Sequence, residues 1–258
     1  MSAHNNNKTV PPSFKFSFSG QTETGHVRSR NEDSYACVPE QNLWVVADGM
    51  GGHDSGDFAS HTITEQAQKF IQQQTLDSSL LILEENLLHS NEIIRLKADK
   101  LGKNITIGST VACLYMWRNL AFILWAGDSR IYRYRDHTLQ RLSEDHSYVE
   151  ELVKMGKIQP SEADSHPAAN VVLNAIGIDS GVVIDIEYFE IKNNDLFILC
   201  SDGLYKDLSE QTITTILQNN ESPIDELNHE LIKAALDVAG SDNCTVVLVK
   251  ACLENEDD

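Results

Sequence analysis

The sequence of 258 residues contains no long apolar run. A membrane-spanning helix needs about 18 consecutive apolar residues, and a secretory signal peptide needs a shorter apolar segment behind a basic start. Neither pattern occurs in the chain. We therefore expect a cytoplasmic protein.

Basic residues are scarce. The chain has 20 Lys and Arg residues against 39 Asp and Glu residues, which gives a formal net charge of −19 at pH 7. Such a charge repels nucleic acids and anionic membrane surfaces, so neither is expected as a partner. A well-hydrated acidic surface is the simplest interpretation.

The cysteines show neither a disulfide pattern nor a metal-binding pattern. They are odd in number, contain no Cys-x-x-Cys pair and lie mostly in or beside apolar runs. The five residues are Cys37, Cys113, Cys200, Cys244 and Cys252. This usage favours buried thiols in a reducing compartment.

No linker-like segment divides the chain, and its length suits one domain whose core is large enough to fold without crosslinks. The polar start and the acidic end predict tails at 1–13 and 253–258, on either side of a domain at 14–252. The nearly solid apolar strand runs predict a layered α/β or α+β fold with both sheet faces covered. Apolar periodicity predicts helices at about 60–74, 78–100 and 223–238.

Four aspartates lie at the edges of apolar runs with strand-like composition. Asp48 and Asp202 each follow such a run and precede a glycine. Asp128 follows a third run, and Asp242 precedes a fourth. Short apolar runs bounded by Gly, Asp and Asn predict buried strands, so each carboxylate is expected at a strand end.

Carboxylates that converge repel one another, and they then need shared protons or bound cations. Sites with only oxygen ligands favour Mg²⁺ or Mn²⁺, whereas zinc prefers His or Cys. A single Asp-Gly pair is more often an ordinary turn. The occurrence of four such aspartates favours a divalent-metal centre.

An ordered set of motifs resembles a known enzyme family. Each motif is weak alone, but their order and spacing over about residues 18–250 are specific. The motifs are Gly25-His26-Val27-Arg28-Ser29-Arg30-Asn31-Glu32-Asp33-Ser34, Asp48-Gly49-Met50-Gly51-Gly52-His53, Gly108-Ser109-Thr110, Gly127-Asp128-Ser129-Arg130, Glu144-Asp145-His146-Ser147, Ser201-Asp202-Gly203-Leu204 and Asp242-Asn243-Cys244-Thr245. On these residues the chain resembles the bacterial branch of the metal-dependent protein phosphatases, also called protein phosphatase 2C or PPM.

The resemblance implies an α+β fold, a four-layer α-β-β-α sandwich of two antiparallel sheets flanked by helix pairs. It also implies that 14–252 is a PPM-type phosphatase domain and that about 147–177 form a flap beside the active site. Within that segment, Ser147 and Glu150 have the spacing of a capping box that starts a helix, and Gly156 is a plausible helix end. A surface loop without a role in substrate access is the alternative for the flap.

The resemblance also assigns metal ligands. It implies that Asp48 bridges two ions and that the Gly49 carbonyl completes one coordination shell. Asp202 and Asp242 match the remaining protein ligands of the first ion. Two such ions make hydroxide available near neutral pH for attack on phosphorus.

Three further carboxylates have less certain matches. Glu32 and Asp33 match the acidic pair near the second ion, partly through waters. Asp128 matches the aspartate that, with Asp202, forms a weaker third metal site in bacterial relatives, and its alternative role is to cap the Gly-Asp-Ser turn. The expected cofactor is therefore two ions of Mn²⁺ or Mg²⁺, with a third left open.

Arg28 matches the arginine that holds the phosphoryl oxygens, and its planar fork can bind two of them at once. Arg130 is expected to be an ion-pair partner instead. Met50 stands where animal relatives have a histidine proposed to protonate the leaving alkoxide, and a thioether cannot do so. His53 and His146 lie within motifs but lack the partner pattern of a tuned acid.

The leading prediction is a phosphoserine/phosphothreonine protein phosphatase that acts on phosphorylated proteins. One alternative is a catalytically silent regulator, which a missing metal carboxylate would favour; none is missing. Another is a hydrolase of small phosphate esters. The glycine-rich stretch at 43–60 looks most similar to phosphatases that accompany a Ser/Thr kinase in bacterial type VI secretion loci. Such a kinase or its targets are the expected partners, and a monomer is expected.

Overall fold

The computed structural model describes residues 12–51, 55–102, 105–163, 165–218 and 222–254. Most of the two predicted tails lies outside these residues. The strands are β1 Phe14–Glu23, β2 Asp33–Val38, β3 Leu43–Gly51, β4 Ile107–Ser109, β5 Val111–Trp117, β6 Leu120–Ala126, β7 Arg130–Arg135, β8 Thr138–Arg141, β9 Asp185–Glu190, β10 Leu196–Cys200 and β11 Cys244–Leu253. The helices are α1 Gly56–Gln68, α2 Leu76–Leu101, α3 Tyr148–Lys154, α4 Asp202–Tyr205, α5 Glu210–Leu217 and α6 Ile224–Val238.

These strands form two sheets. One has the order β1-β11-β10-β7-β8, and the other has the order β2-β3-β5-β6-β9 with β4 beside β3. Neighbouring strands pair antiparallel in both sheets. The two antiparallel sheets expected from the motifs are confirmed.

Alternating side chains of one strand serve two cores. On β3, Trp44 and Val46 pack between the sheets against residues such as Phe197 of β10. Val45 and Ala47, which point to the opposite face, pack in the cluster that contains residues of α1 and α2. All four of these β3 side chains are fully buried, which explains why the strand reads as an unbroken apolar run.

Helices cover the outer face of each sheet. The pair α1 and α2 lies on the sheet that contains β3. A second group, α4, α5 and α6, packs its apolar residues against β10 and β11 of the other sheet. The four-layer α-β-β-α sandwich is therefore confirmed. Among the residues that the structure describes, no helix is long and apolar enough to cross a membrane.

The predicted helices are present, but the first has different ends. It spans Gly56–Gln68 rather than 60–74. The chain leaves the helix before Phe70, whose buried ring packs edge-on against Tyr115 with ring centroids 5.4 Å apart. Tertiary packing of one aromatic side chain thus overrides the helical composition of the residues that follow.

The segment at 147–177 begins with a short helix, as predicted. The Ser147 hydroxyl accepts a hydrogen bond from the Glu150 backbone N–H at 3.3 Å, and α3 ends just before Gly156, which has φ +66°. An isolated bridge joins Ser147 to Val172 within the segment, and a second joins Ile176 to Ser109 of β4. The end of the segment is therefore attached to β4, and its role as a flap stays a prediction.

Candidate metal centre

One cleft of about 270 Å³ collects most of the predicted site residues. Both sheets contribute to it, because its lining comes from β3 and from the segments that flank β2, β6, β10 and β11. The predicted residues that line it are Arg28, Glu32, Asp48, Gly49, Asp128, Asp202 and Asp242. Residues of the flap form part of the same wall, namely Asn170 and Val172.

Asp48 lies within β3 rather than after it, because β4 pairs with β3 and extends that strand to Gly51. The Asp48 backbone is fixed on both sides by Thr110. Its N–H donates to the Thr110 hydroxyl oxygen at 3.1 Å, and its C=O accepts from the Thr110 N–H at 2.9 Å. The carboxylate is thus held by a regular strand.

Both Asp-Gly pairs need their glycine for close backbone contact. A Cβ on Gly49 would lie 2.1 Å from the Gly56 carbonyl oxygen, and a Cβ on Gly203 would lie 2.1 Å from the Asn243 carbonyl oxygen. No side chain fits at either distance. The glycines therefore allow neighbouring segments to approach the carboxylates, which an ordinary turn does not require.

Three other aspartates reach the cleft from segment ends. Asp202 is the first residue of α4, directly after β10 and Ser201. Asp128 follows β6 through Gly127, whose φ is +110°. Asp242 lies two residues before β11. These three aspartates lie at strand ends, as predicted, and all three line the cleft; their role as metal ligands stays a prediction.

Asn243 connects the loop before β2 to the start of β11, and the sequence interpretation gave it no role. Its side-chain amide donates to the carbonyls of Thr24 at 2.8 Å and Arg30 at 2.9 Å, and its side-chain oxygen accepts from the Glu32 N–H at 2.8 Å. Asn243 thereby positions the segment that carries Arg28 and Glu32. The Asp-Asn pair at the strand start was the available signal.

Asp33 lies beneath the cleft instead of lining it. Its residue pairs directly with Asp48 across β2 and β3, and its Oδ2 accepts hydrogen bonds from the hydroxyls of Ser201 and Thr245, each at 2.7 Å. Burial raises the pKa of Asp33 to about 7. The carboxylate joins β2 to the ends of β10 and β11, so it supports the site from below. Its predicted place near the second ion stays a prediction.

The cleft carries more negative charge than its surroundings stabilise. Burial raises the pKa of Asp48 well above its ordinary value, and repulsion from Asp33 and Asp202 raises it further. Burial likewise raises the pKa of Asp128 to about 6, with Asp202 adding to the effect. Burial also raises the pKa of Glu32. Buried carboxylates in this condition favour bound cations.

Two side-chain cations of the protein partly meet that need. Arg28 donates from Nη2 to Oδ2 of Asp242 at 2.7 Å, and this hydrogen bond raises the pKa of Arg28. Lys206 forms an ion pair with Asp202 Oδ2. Sequence interpretation missed Lys206, although its position four residues after Asp202 predicts contact across one helical turn.

The donor atoms of the cleft suit a hard divalent cation. The cleft lining contributes carboxylates and the Gly49 backbone, and neither His nor Cys occurs among its described residues. Oxygen-only donor sets of this kind fit Mg²⁺ or Mn²⁺. Within the described ranges, no three Asp, Glu, His or Cys side chains are already arranged as a metal-binding group. Two of the cleft carboxylates are instead paired with cations of the protein, Asp242 with Arg28 and Asp202 with Lys206.

Arg130 and His146 serve the structure around the cleft. Arg130 forms hydrogen bonds of 2.7 to 3.0 Å to Asp145 and stacks on the Tyr205 ring at 3.6 Å, which confirms the expected ion pair but places it in the interior. The His146 ring stacks on Trp125. His146 does not line the cleft, and His53 lies outside the described residues.

Known protein phosphatases are similar to this chain along most of its length. The profile of the family Protein phosphatase 2C matches residues 21–236. The serine/threonine phosphatase Stp of Listeria welshimeri is 32% identical over 244 residues, covering 89% of this chain and 94% of the relative. The protein phosphatase PhpP of Streptococcus pneumoniae is 31% identical over 244 residues, covering 92% and 97%.

Solved structures agree with these relatives. PppA, described as a key regulatory component of the type VI secretion system in Pseudomonas aeruginosa, superimposes with a TM-score of 0.84 at 34% identity and covers 93% of this chain and 99% of its own. The catalytic domain of the phosphatase PstP, solved in complex with two manganese ions, superimposes with a TM-score of 0.80 at 28% identity and covers 93% and 100%. The chain therefore belongs to the protein phosphatase 2C family, and it is a metal-dependent protein serine/threonine phosphatase.

Proposed function

We propose that the cleft hydrolyses phosphoserine and phosphothreonine residues of proteins at two Mn²⁺ or Mg²⁺ ions. The observation that carries this proposal is the convergence of Asp48, Asp202 and Asp242 in one cleft with Arg28 at its side. These residues come from segments far apart in the chain, so their convergence is a product of the fold. Desolvation of Asp48 and its repulsion by Asp202 and Asp242 favour bound cations in the cleft.

We assign the metal ligands by their place in this lining. Asp48, which lines the cleft from β3, would be the carboxylate shared by the two ions, as the family resemblance implies. Asp202, Asp242 and the Gly49 carbonyl would hold the first ion together with Asp48, and Glu32 would serve the second. When bound, the ions lower the pKa of water and so supply a nucleophile near neutral pH.

Arg28 is the group that orients the phosphoryl oxygens. Its guanidinium is 55% exposed and lines the cleft, so it can reach a substrate while keeping its bond to Asp242. An arginine can bind two phosphoryl oxygens through one planar fork. Asn170 and Val172 of the flap lie at the same cleft, where the peptide around the phosphorylated residue must pass.

The substrate is proposed to be a phosphorylated protein associated with a Ser/Thr kinase. The similarity to PppA, described as a key regulatory component of type VI secretion in Pseudomonas aeruginosa, supports a regulatory role, and the kinase partner stays a prediction from the sequence. The net charge of −19 supports the expectation that nucleic acids are not partners. The expected monomer stays a prediction.

The test is a substrate panel with the purified protein and Mn²⁺ or Mg²⁺. Phosphothreonine and phosphoserine peptides should be hydrolysed together with p-nitrophenyl phosphate, and a chelator should stop all turnover. Preference for small phosphate esters over every peptide would instead favour the small-ester alternative. Asp48→Ala should remove nearly all activity, and a rate like that of the unchanged protein at saturating Mn²⁺ would overturn the assignment.

A further inference from the structure

Neither the sequence motifs nor the two proposed metal ions explain the position of Lys206 in the cleft. It follows α4, and its backbone N–H donates to the Asp202 carbonyl at 2.9 Å, which completes a helical turn. This turn brings the Lys206 ammonium over the Asp202 carboxylate, with which it forms an ion pair through Oδ2. The side chain is only 30% exposed. Lys206 is thus a cation built into the wall of an acidic cleft.

The ammonium also acts on Asp128. Lys206 and Asp128 line the same cleft, and the ammonium opposes the rise in the Asp128 pKa that burial and Asp202 cause. Asp128 itself is 6% exposed. Without Lys206, the buried Asp128 carboxylate and the partly buried Asp202 carboxylate would need another cation between them. The chain itself provides a charge at this position.

Lys206 reaches the flap as well. Its ammonium donates to the side-chain oxygen of Asn170 at 2.8 Å. Asn170 and Lys206 line both the acidic cleft and a second cavity of about 200 Å³ that extends beneath the flap toward Arg130. The same ammonium therefore connects a proposed metal ligand to the segment that borders the substrate path.

We infer that the Lys206 ammonium is the resident cation beside Asp202 and Asp128, so that this chain holds two divalent ions rather than three, with Asn170 of the flap latched to the same charge. The inference rests on the proposed two-ion site. A divalent ion beside Asp128 would have to approach an ammonium already paired with Asp202, and like charges repel. Asp202 keeps a second carboxylate oxygen for the first of the two proposed ions.

Metal stoichiometry tests the inference directly. The unchanged protein, Lys206→Met and Lys206→Arg are titrated with Mn²⁺ by calorimetry, with bound Mn²⁺ counted independently by electron paramagnetic resonance. The unchanged protein and Lys206→Arg should bind two ions. Lys206→Met keeps the length of the side chain without its charge and should bind a third, weaker ion. Adding Asp128→Asn to Lys206→Met should remove that third ion.

Thermal unfolding tests the role of Lys206 without any measurement of enzyme activity. Lys206→Met should lower the Tm of the metal-free protein, because Asp202 and Asp128 lose their cation, and Mn²⁺ should restore much of the loss. Lys100→Met, at an exposed position near the end of α2, is the matched control and should change neither Tm nor stoichiometry. If Lys206→Met is poorly folded, Lys206→Gln replaces it.

The number of Mn²⁺ ions bound by the unchanged protein and by Lys206→Met supports or overturns the inference. Three ions in the unchanged protein, with one lost in Asp128→Asn, would overturn the inference, and so would two ions in Lys206→Met. A gain from two ions to three would support it. The proposed function fails separately, if the unchanged protein binds no pair of ions or if Asp48→Ala retains both.

Discussion

Arg28 and Asp242 form a hydrogen-bonded ion pair, with Nη2 donating to Oδ2 at 2.7 Å. They are separated by most of the chain and meet because Asn243 holds the Arg28 loop against the start of β11. The proposed phosphate-binding group thus touches a proposed metal ligand. Substrate and ions are thereby expected to bind next to each other, with Arg28 oriented by Asp242 before substrate arrives.

Arg28→Ala should lower kcat/KM on phosphopeptides by about 10²-fold, the loss typical of removing one charged contact to a developing oxyanion. Arg28→Lys should recover little, because a point charge does not reproduce the planar fork. Steady-state kinetics with Mn²⁺ titration measures both effects. Arg118→Ala, at an exposed arginine outside the cleft, is the control. Full recovery of kcat/KM in Arg28→Lys would show that Arg28 acts only through its positive charge and not through its planar fork.

Asp48→Asn should separate stability from activity. The charge of Asp48 is partly desolvated and is repelled by Asp33 and Asp202, so its removal should raise the Tm of the metal-free protein. A gain of about 1 kcal/mol corresponds to roughly 2 °C or more for a domain of this size. Turnover and the stabilisation by Mn²⁺ should both be lost. Scanning calorimetry with and without Mn²⁺ is the measurement, and a lower Tm in the metal-free variant would contradict the electrostatic account.

Asp128→Ala should reduce turnover unequally on two kinds of substrate. If Asp128 holds the Lys206 ammonium where this cation stabilises a leaving alkoxide, phosphopeptides should lose more activity than p-nitrophenyl phosphate, whose leaving group needs less help. If Asp128 only caps its turn, stability should fall by about 1 kcal/mol and both activities should fall together or stay unchanged. Parallel kinetics and thermal unfolding distinguish these results.

Gly203→Ala should damage the site through the backbone. Its Cβ would lie 2.1 Å from the Asn243 carbonyl, so Asn243 and the adjoining Asp242 must move. Forced overpacking of this kind costs about 1–3 kcal/mol. Mn²⁺ affinity should fall together with the Tm. Gly181→Ala is the matched control, since the nearest atom to its Cβ would be Asp179 Oδ1 at 4.0 Å. Equal behaviour of the two variants would exclude the steric argument.

The residue pattern alone predicted a layered α/β or α+β domain with aspartates at strand ends, whereas the two-sheet sandwich and the rest of the candidate site followed from the family resemblance. Buried strands such as β3 require unbroken apolar runs, and the glycines of the Asp48-Gly49 and Asp202-Gly203 pairs permit close backbone contact. Composition could not place the end of α1, because burial of Phe70 against Tyr115 depends on a distant strand. Nor did it distinguish Asp33, beneath the cleft, from its neighbour Glu32 at the surface of the cleft.

What the sequence determined by itself is the chemistry available: acidic residues at the edges of buried strands, an arginine ahead of them and a family whose motifs they match. The tertiary structure alone decided which charges meet. Arg28 with Asp242, Asp33 with Ser201 and Thr245, and Lys206 with Asn170 are contacts between segments that are far apart in the chain. Electrostatic energy depends on distance and burial, and those quantities exist only once the two sheets have packed together.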